Sequence, residues 1–94
     1  MAASRASNGD DAKDRANQAK HGVSFRTAQA AFFDPRRVIA EDPDHGGTEQ
    51  RYFCFGLVAG GVMTVRFTHR GGHIRIFSAG YWRKGKRIYE QQNR

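Results

Sequence analysis

The stretch 63–79 could bind a polyanion through one face of a β-hairpin. Its two alternating runs meet at Gly71-Gly72, which is typical of a type I′ turn, where both central residues need φ > 0. A two-residue loop pairs Arg70 with His73, Thr68 with Arg75 and Arg66 with Phe77. Side chains alternate across a strand. One face therefore carries Arg66, Thr68, Arg70, His73, Arg75 and Phe77, and the other carries Val65, Phe67, Ile74, Ile76 and Ser78.

The chemistry that suits such a face is binding or cleavage of RNA. Arginines beside aromatic rings suit single-stranded RNA, although a solvated outer sheet face would give the same pattern. Cleavage without a metal requires a base for the 2′-hydroxyl, an acid for the leaving 5′-oxygen and cations for the charged phosphorane. The groups available are Glu49, His21, His73, Tyr89, Lys20 and several arginines.

Some of these groups also have simpler interpretations. Glu49 and Arg51 stand two apart at the entrance of a predicted strand, so they share a face and could form an ordinary surface ion pair, which adds little stability. Lys20-His21 could be the cationic end of a helix rather than part of a site.

Other chemistries find less support in the sequence. His69 and His73 have a zinc-like spacing, but the predicted register points them to opposite faces, so we expect neither a metal nor a cofactor. Cys54 falls inside a predicted strand as a buried, inert thiol. Ser78 does not stand in a nucleophile elbow, and neither glycine pair has the spacing of a phosphate-binding loop.

Charge and composition favour a polyanionic partner. The chain has 94 residues, a formal charge of +7 and a pI near 10.3, which suits nucleic acid, an acidic protein or an anionic membrane; simple solubility is the alternative. A single cysteine excludes an intramolecular disulfide. With neither an apolar run long enough to span a membrane nor a signal-peptide pattern, we expect a cytoplasmic protein.

The order of predicted elements indicates one α+β domain over residues 10–94, after a disordered tail at 1–9. Residues 10–20 form a helix that Gly22 ends, and Ser24 begins a second helix that Asp34-Pro35 stops. Strands follow at 37–41 and 51–58, the latter central because it is apolar on both faces. A glycine turn leads into the hairpin, and residues 81–92 form a C-terminal helix in which Gly85 costs roughly 1 kcal/mol.

Three blocks of the sequence resemble the BrnT toxins. The motifs are Asp10-x-x-Lys13-x-x-x-Asn17-x-x-Lys20-His21-Gly22-Val23-Ser24-Phe25, then Asp42-Pro43-Asp44-His45 with Glu49-x-Arg51-Tyr52, then Thr68-x-Arg70 with Ile74-Arg75-Ile76-x-Ser78-Ala79 and Tyr89. This resemblance implies a RelE-like ribonuclease toxin of a type II toxin–antitoxin module that cleaves RNA without a metal and blocks translation. It also implies a BrnA-like ribbon-helix-helix antitoxin, through which alone the complex binds operator DNA.

The resemblance also implies roles for residues at matching positions. Arg70 and Arg75 would stabilise the phosphate, Ser78 would position it, Tyr89 would be the general acid, and either Glu49 or His21 would be the base. Strict alternation puts Ser78 on the apolar face, so either the strand bulges near its end, or Ser78 supports the structure and the cleft lies partly elsewhere. The residues expected to contact RNA are Lys20, Arg51, Arg66, His73, Arg83 and Lys84.

The chain departs from its relatives at three places. Relatives begin with a strand ending in Trp-Asp, where this chain has 7–10, and they carry Glu-Arg where it has Lys86-Arg87. They read Ser-Ala-Arg where it has Ser78-Ala79-Gly80, so an expected site cation is missing. Two alternatives therefore stay open: a weakened toxin that binds the antitoxin and represses its operon, and a plain RNA-binding module.

Overall fold

The computed structural model describes residues 11–43 and 49–94, which form the α+β fold predicted from the sequence. The tail at 1–9 and most of the acidic loop at 42–47 lie outside these residues. The elements are α1 (Asp11–His21), α2 (Phe25–Ala28), a 3₁₀ helix (Gln29–Phe33), β1 (Val38–Asp42), β2 (Arg51–Val58), β3 (Gly61–Arg70), β4 (His73–Gly80) and α3 (Arg83–Gln92). None of the helices described is long and apolar enough to cross a membrane.

The two N-terminal helices begin and end where the sequence predicts. Gly22 ends α1 with φ of 69°, and its N–H donates to the Gln18 carbonyl at 2.9 Å. The Ser24 hydroxyl caps α2 by accepting from the Thr27 N–H at 3.0 Å. The second helix changes to 3₁₀ geometry after Ala28 and ends before Asp34, as the Asp34-Pro35 signal predicts.

The four strands form an antiparallel meander in the order β1-β2-β3-β4. β2 is central, as predicted. The β3–β4 turn has positive φ at both Gly71 and Gly72 (58° and 82°), and it pairs Arg70 with His73 and Thr68 with Arg75. The type I′ turn and the predicted register next to it are confirmed.

The predicted pairing of Arg66 with Phe77 is wrong, because a β-bulge shifts the register. Phe67 pairs with Ile76 and Arg66 pairs with Ser78, which leaves Phe77 as the extra residue. Ile76 and Ala79 are both fully buried, yet three positions separate them, so strict alternation could not turn both to the core. The bulge resets the alternation, and it moves Ser78 from the predicted apolar face to the cationic side.

The sheet has a core face and a second face that is covered only in part. The N-terminal helices cover the core face, where Phe25, Cys54, Val65 and Ile76 pack together. On the second face, α3 covers a smaller cluster of Phe55, Val62 and Tyr89. The rest of that second face we call the cationic face; it carries Arg51, Arg66, Arg70, His73, Arg75, Phe77 and Ser78.

Gly85 lets α3 approach the sheet closely. α3 begins at Arg83, two residues later than predicted, and buries Gly85 against β3. A Cβ on Gly85 would lie 2.0 Å from Thr64 Oγ1 and 3.0 Å from Phe55 Cδ1. The glycine therefore costs helix propensity but permits the contact that seats the helix.

We expect Gly85→Ala to destabilise the protein by about 1–3 kcal/mol, the usual range for overpacking, although alanine is the better helix former. Urea denaturation of the variant measures this loss. Adding Thr64→Ala should recover part of it, because the nearest clashing atom is then gone. A Gly85→Ala variant as stable as the parent would contradict the close approach.

Candidate functional site

At the hairpin end of the cationic face, Glu49 binds Arg70. The Arg70 guanidinium donates from Nε at 2.9 Å and from Nη2 at 2.7 Å to Glu49 Oε2. Glu49 does not pair with Arg51, which was the simpler interpretation of its position. The Thr68 hydroxyl donates to the Gln50 carbonyl, so the segment before β2 is tied to β3. Two candidate catalytic groups, a carboxylate and a cation, are thus held together beside His73, the strand partner of Arg70.

In the middle of the cationic face, the arginines differ in their partners. Arg66 donates to the buried carboxylate of Asp42 at 3.3 Å, so its charge is already partly balanced by an internal carboxylate. Arg75 makes no side-chain hydrogen bond or ion pair with any residue that the structure describes. Arg75 could therefore bind an anion without breaking a contact to a described side chain.

A third arginine of the cationic face lies over an aromatic ring. The Arg51 guanidinium carbon is 4.2 Å from the centre of the Phe77 ring, whereas Arg66 lies farther from Phe53, at 5.8 Å. Cation–π contacts at exposed positions are worth about 0.5–1 kcal/mol. The contact holds Arg51 on the sheet surface rather than extended into solvent.

At the far end of β4, α1 brings His21 to the sheet edge. Asn17, which is buried, donates to the carbonyls of Val23 and Ala79 at 2.8 Å each and accepts from the Ala79 N–H at 3.1 Å. Sequence reasoning placed Asn17 only within a matching motif and missed this role. Its amide serves the edge of β4 as a neighbouring strand would. His21, at the end of the same helix, meets Trp82 edge-on with ring centres 5.0 Å apart.

Trp82 occupies the space beside Gly80. A Cβ on Gly80 would lie 2.6 Å from Trp82 Cζ2. The indole thus fills the position into which a longer side chain at 80 would have to extend. Trp82 also borders a groove of about 360 Å³ whose walls include Phe53, Phe55 and Ile88. Lys84 lines this groove, whereas Arg83 lines a neighbouring one; Lys20 is exposed on α1.

Tyr89, the predicted general acid, is bound to a carboxylate that lies 55 positions earlier in the sequence. Its hydroxyl donates to Asp34 Oδ2 at 2.6 Å, and the Leu57 N–H donates to the same oxygen at 2.8 Å. The bond from Tyr89 lowers the pKa of Asp34, with help from Leu57, and the same bond raises the pKa of Tyr89. Tyr89 borders a groove with Gly61, at the opposite end of β3 from Arg70, and ten residues of strand span roughly 30 Å.

The structure thus divides the predicted site residues into groups. The residues that it places on the cationic face are Glu49, Arg70, His73, Arg75, Arg51, Arg66 and, because of the bulge, Ser78. His21 lies at the Trp82 end, and Tyr89 is separate from both. Among the described residues, no group of three or more His, Cys, Asp or Glu could hold a metal ion. Cys54 is buried as predicted, and burial raises the pKa of its thiol to about 12.

These features define a small α+β protein with one antiparallel sheet and a cationic face, an architecture compatible with a RelE-like fold. Residues 10–85 match the family described as ribonuclease toxin, BrnT, of type II toxin–antitoxin system, and the chain belongs to this family. None of the curated proteins matches the chain. The matched residues end at Gly85, so Tyr89 lies beyond them. Family membership implies an RNA target and an antitoxin partner.

We expect Tyr89→Phe to destabilise the protein by about 1–2 kcal/mol near neutral pH, because Asp34 loses a charge-assisted hydrogen bond. The pKa of Asp34 in the folded protein lies below its ordinary 3.8. The hydrogen bond to the Asp34 carboxylate therefore stabilises the fold above pH 3.8, and this stabilisation is lost as the pH falls through the folded-state pKa. The difference in the free energy of unfolding between the parent and Tyr89→Phe, measured by urea denaturation, should therefore become smaller in acid.

Tyr81→Phe is the matched control for this measurement. The Tyr81 hydroxyl donates to the Val58 carbonyl at 3.0 Å. Because a carbonyl does not titrate, the difference in the free energy of unfolding between the parent and Tyr81→Phe should not become smaller in acid. In the Tyr89 bond itself, the pKa of the Tyr89 hydroxyl is raised above its ordinary 10.0. The stabilisation that the hydroxyl gives to the fold should therefore also be lost as the pH rises through that raised value. A Tyr89→Phe deficit that is the same at all pH values would contradict the assignment.

Proposed function

We propose that the chain, as one domain over residues 10–94, is an endoribonuclease that cleaves RNA without a metal ion and thereby inhibits translation. The observation that carries this proposal is the Glu49–Arg70 pair beside Arg75, which has no ion pair with a described residue, on a cationic face of a member of a ribonuclease-toxin family. RNA is cleaved where it is translated, so the same proposal places the protein in the cytoplasm.

The chemistry needs one base, one acid and cations around the phosphate. Glu49 takes the proton of the 2′-hydroxyl, the 2′-oxygen attacks phosphorus, and the 5′-oxygen leaves with a proton, giving a 2′,3′-cyclic phosphate and a 5′-hydroxyl. Arg70 and Arg75 stabilise the charged phosphorane, and the hydroxyl of Ser78 helps to position the phosphate. When Arg70 turns to the phosphate, it releases the Glu49 oxygen that must accept the proton.

We propose His73 rather than Tyr89 as the proton donor. His73 is the strand partner of Arg70 and shares its face, whereas the Tyr89 hydroxyl is already committed to Asp34. His21 remains the alternative base, but it lies against Trp82 rather than beside Arg70. Cleavage by Tyr89→Phe separates the two donors: full activity in a folded variant supports His73, and a collapse of activity supports Tyr89.

Purified protein should cleave a labelled RNA in the presence of EDTA. Arg75→Ala and Glu49→Gln should each lower the rate by about 10²- to 10³-fold, the usual cost of removing a group that stabilises a transition state or transfers a proton. Arg26→Ala is the matched control, because it also removes one arginine, here an exposed one on α2, which packs on the core face. Loss of cleavage in EDTA, or equal effects of Arg75→Ala and Arg26→Ala, would contradict the proposal.

The antitoxin that family membership implies is, we propose, BrnA-like, with a ribbon-helix-helix region that alone contacts operator DNA. An acidic antitoxin and RNA would compete for the cationic face, which fits the charge of +7. A small acidic ribbon-helix-helix protein encoded next to this chain, added in equimolar amount, should protect RNA from cleavage. A neighbouring frame that encodes no such protein would argue against this partner.

A second candidate is a catalytically weakened toxin that serves as an antitoxin-binding and repressing partner. Gly80 under the Trp82 indole favours it, because the cation expected there from the family resemblance is absent. Full cleavage by the parent would remove its main support. A plain RNA-binding module would instead show strongly salt-dependent binding without cleavage.

We expect Gly80→Arg alone to lower stability, since its Cβ would meet the indole, and to leave cleavage unimproved. Gly80→Arg with Trp82→Ala should fold better, because the space beside residue 80 is then open. If the weakened-toxin candidate is correct, this double variant gains cleavage and toxicity over Trp82→Ala alone. No gain in the folded double variant excludes the missing cation as the cause of weak activity.

A further inference from the structure

Arg51 and Phe77 meet across an intervening strand. Arg51 begins β2 and Phe77 lies in β4, so β3 separates them, and two strand spacings amount to roughly 9–10 Å. The Arg51 side chain therefore crosses β3 to place its guanidinium 4.2 Å from the Phe77 ring centre. Thr68, which lies on β3 on the same face, is only 1% exposed. The guanidinium thus lies low on the sheet surface.

The bulge makes the surroundings of Phe77 unusual. Phe77 is the extra residue, without a partner of its own on β3, and it is followed by Ser78 on the same side. Bulges commonly redirect side chains next to functional sites. Here an aromatic ring and a hydroxyl stand side by side on a face whose other members are mainly cations.

We propose that Phe77 and Arg51 form a stacking platform for one unpaired nucleobase of RNA. The base lies on the outer side of the Arg51 guanidinium, whose inner side lies on Phe77. Flat guanidinium groups and aromatic rings are the surfaces on which proteins stack single-stranded bases. Arg75 lies next to this platform, since it pairs with Thr68, and it binds the adjoining phosphate. The inference rests on the proposed function in taking RNA as the ligand and the Glu49–Arg70 pair as the place of cleavage.

The platform sets which nucleotide reaches the Glu49–Arg70 pair. A base held on the Arg51 guanidinium fixes the position of its own phosphate along β4, and so the position of the next sugar relative to the hairpin end. Arg66 lies nearby, but its guanidinium is bound to the Asp42 carboxylate and so does not offer an equivalent surface for a base. Arg51 has no ion pair with a described carboxylate, so its contact with the ring is available for a ligand to extend.

The test compares binding of intact and abasic RNA. A short 2′-O-methyl oligonucleotide cannot be cleaved, and a matched one lacks a single base; fluorescence anisotropy at fixed salt gives both affinities. The parent should bind the intact strand about 5- to 100-fold more tightly, since stacking on one base has that value. Arg51→Lys and Phe77→Leu should bind both strands equally, whereas Phe77→Trp should keep the discrimination.

Controls separate stacking from charge. Arg51→Lys retains the positive charge, so its salt slope should match that of the parent. Arg75→Ala should reduce the salt slope by about one while keeping discrimination between the strands. Arg26→Lys, on the opposite side, should change neither quantity. Equal binding of the two strands by the parent, or full discrimination by Arg51→Lys, would overturn the inference.

Two further outcomes are distinguishable. If Arg51→Lys and Phe77→Leu leave RNA discrimination intact but weaken binding of the antitoxin, the pair belongs to a protein interface and the inference is wrong. If the parent discriminates between the strands but never cleaves RNA, the nuclease proposal fails while the platform stands. If the parent cleaves RNA but binds the intact and abasic strands equally, the nuclease proposal stands and the platform is wrong.

Discussion

The β4 strand must turn Ile76 and Ala79 towards one core although three positions separate them. Both are fully buried, and a regular strand would place them on opposite faces. The bulge at Phe77 meets this constraint. It also brings Phe77 and Ser78 out on the same side, next to Arg51 and Arg66. The packing of the core therefore determines which side chains the cationic face offers, and the site depends on it.

The C-terminal helix determines how much of the second face of the sheet stays open. α3 lies over only one end of the sheet because Gly85 seats it against Thr64 and the Tyr89–Asp34 bond fixes its other side. The hairpin end is left to Glu49, Arg70 and Arg75. One end of the face is thus structural and the other is available to a ligand, and this division separates Tyr89 from the cations with which the family resemblance grouped it.

Local signals in the sequence were sufficient for much of the fold. Gly71-Gly72 specifies a turn type and with it the adjacent pairs, and Ser24 and Gly22 specify helix ends, because each acts on residues close to it in the sequence. The bulge could be predicted only as one of two alternatives for Ser78, because it depends on a core that is assembled from distant elements. The same holds for the site: Glu49–Arg70 and Tyr89–Asp34 join residues 21 and 55 positions apart, and sequence spacing carries no trace of either contact.

The position of Trp82 changes the meaning of Gly80. From the sequence, Gly80 is a missing cation. In the structure the glycine is required, because the Trp82 indole occupies the space beside it and in turn contacts His21. An aromatic ring fills the place beside residue 80, and Asn17 holds α1 against the same strand end. This end of β4 therefore offers an apolar, aromatic surface beside the arginines. In the proposed mechanism, Arg70 and Arg75 would stabilise the phosphate; Arg70 already binds Glu49, whereas Arg75 makes no ion pair with a described residue.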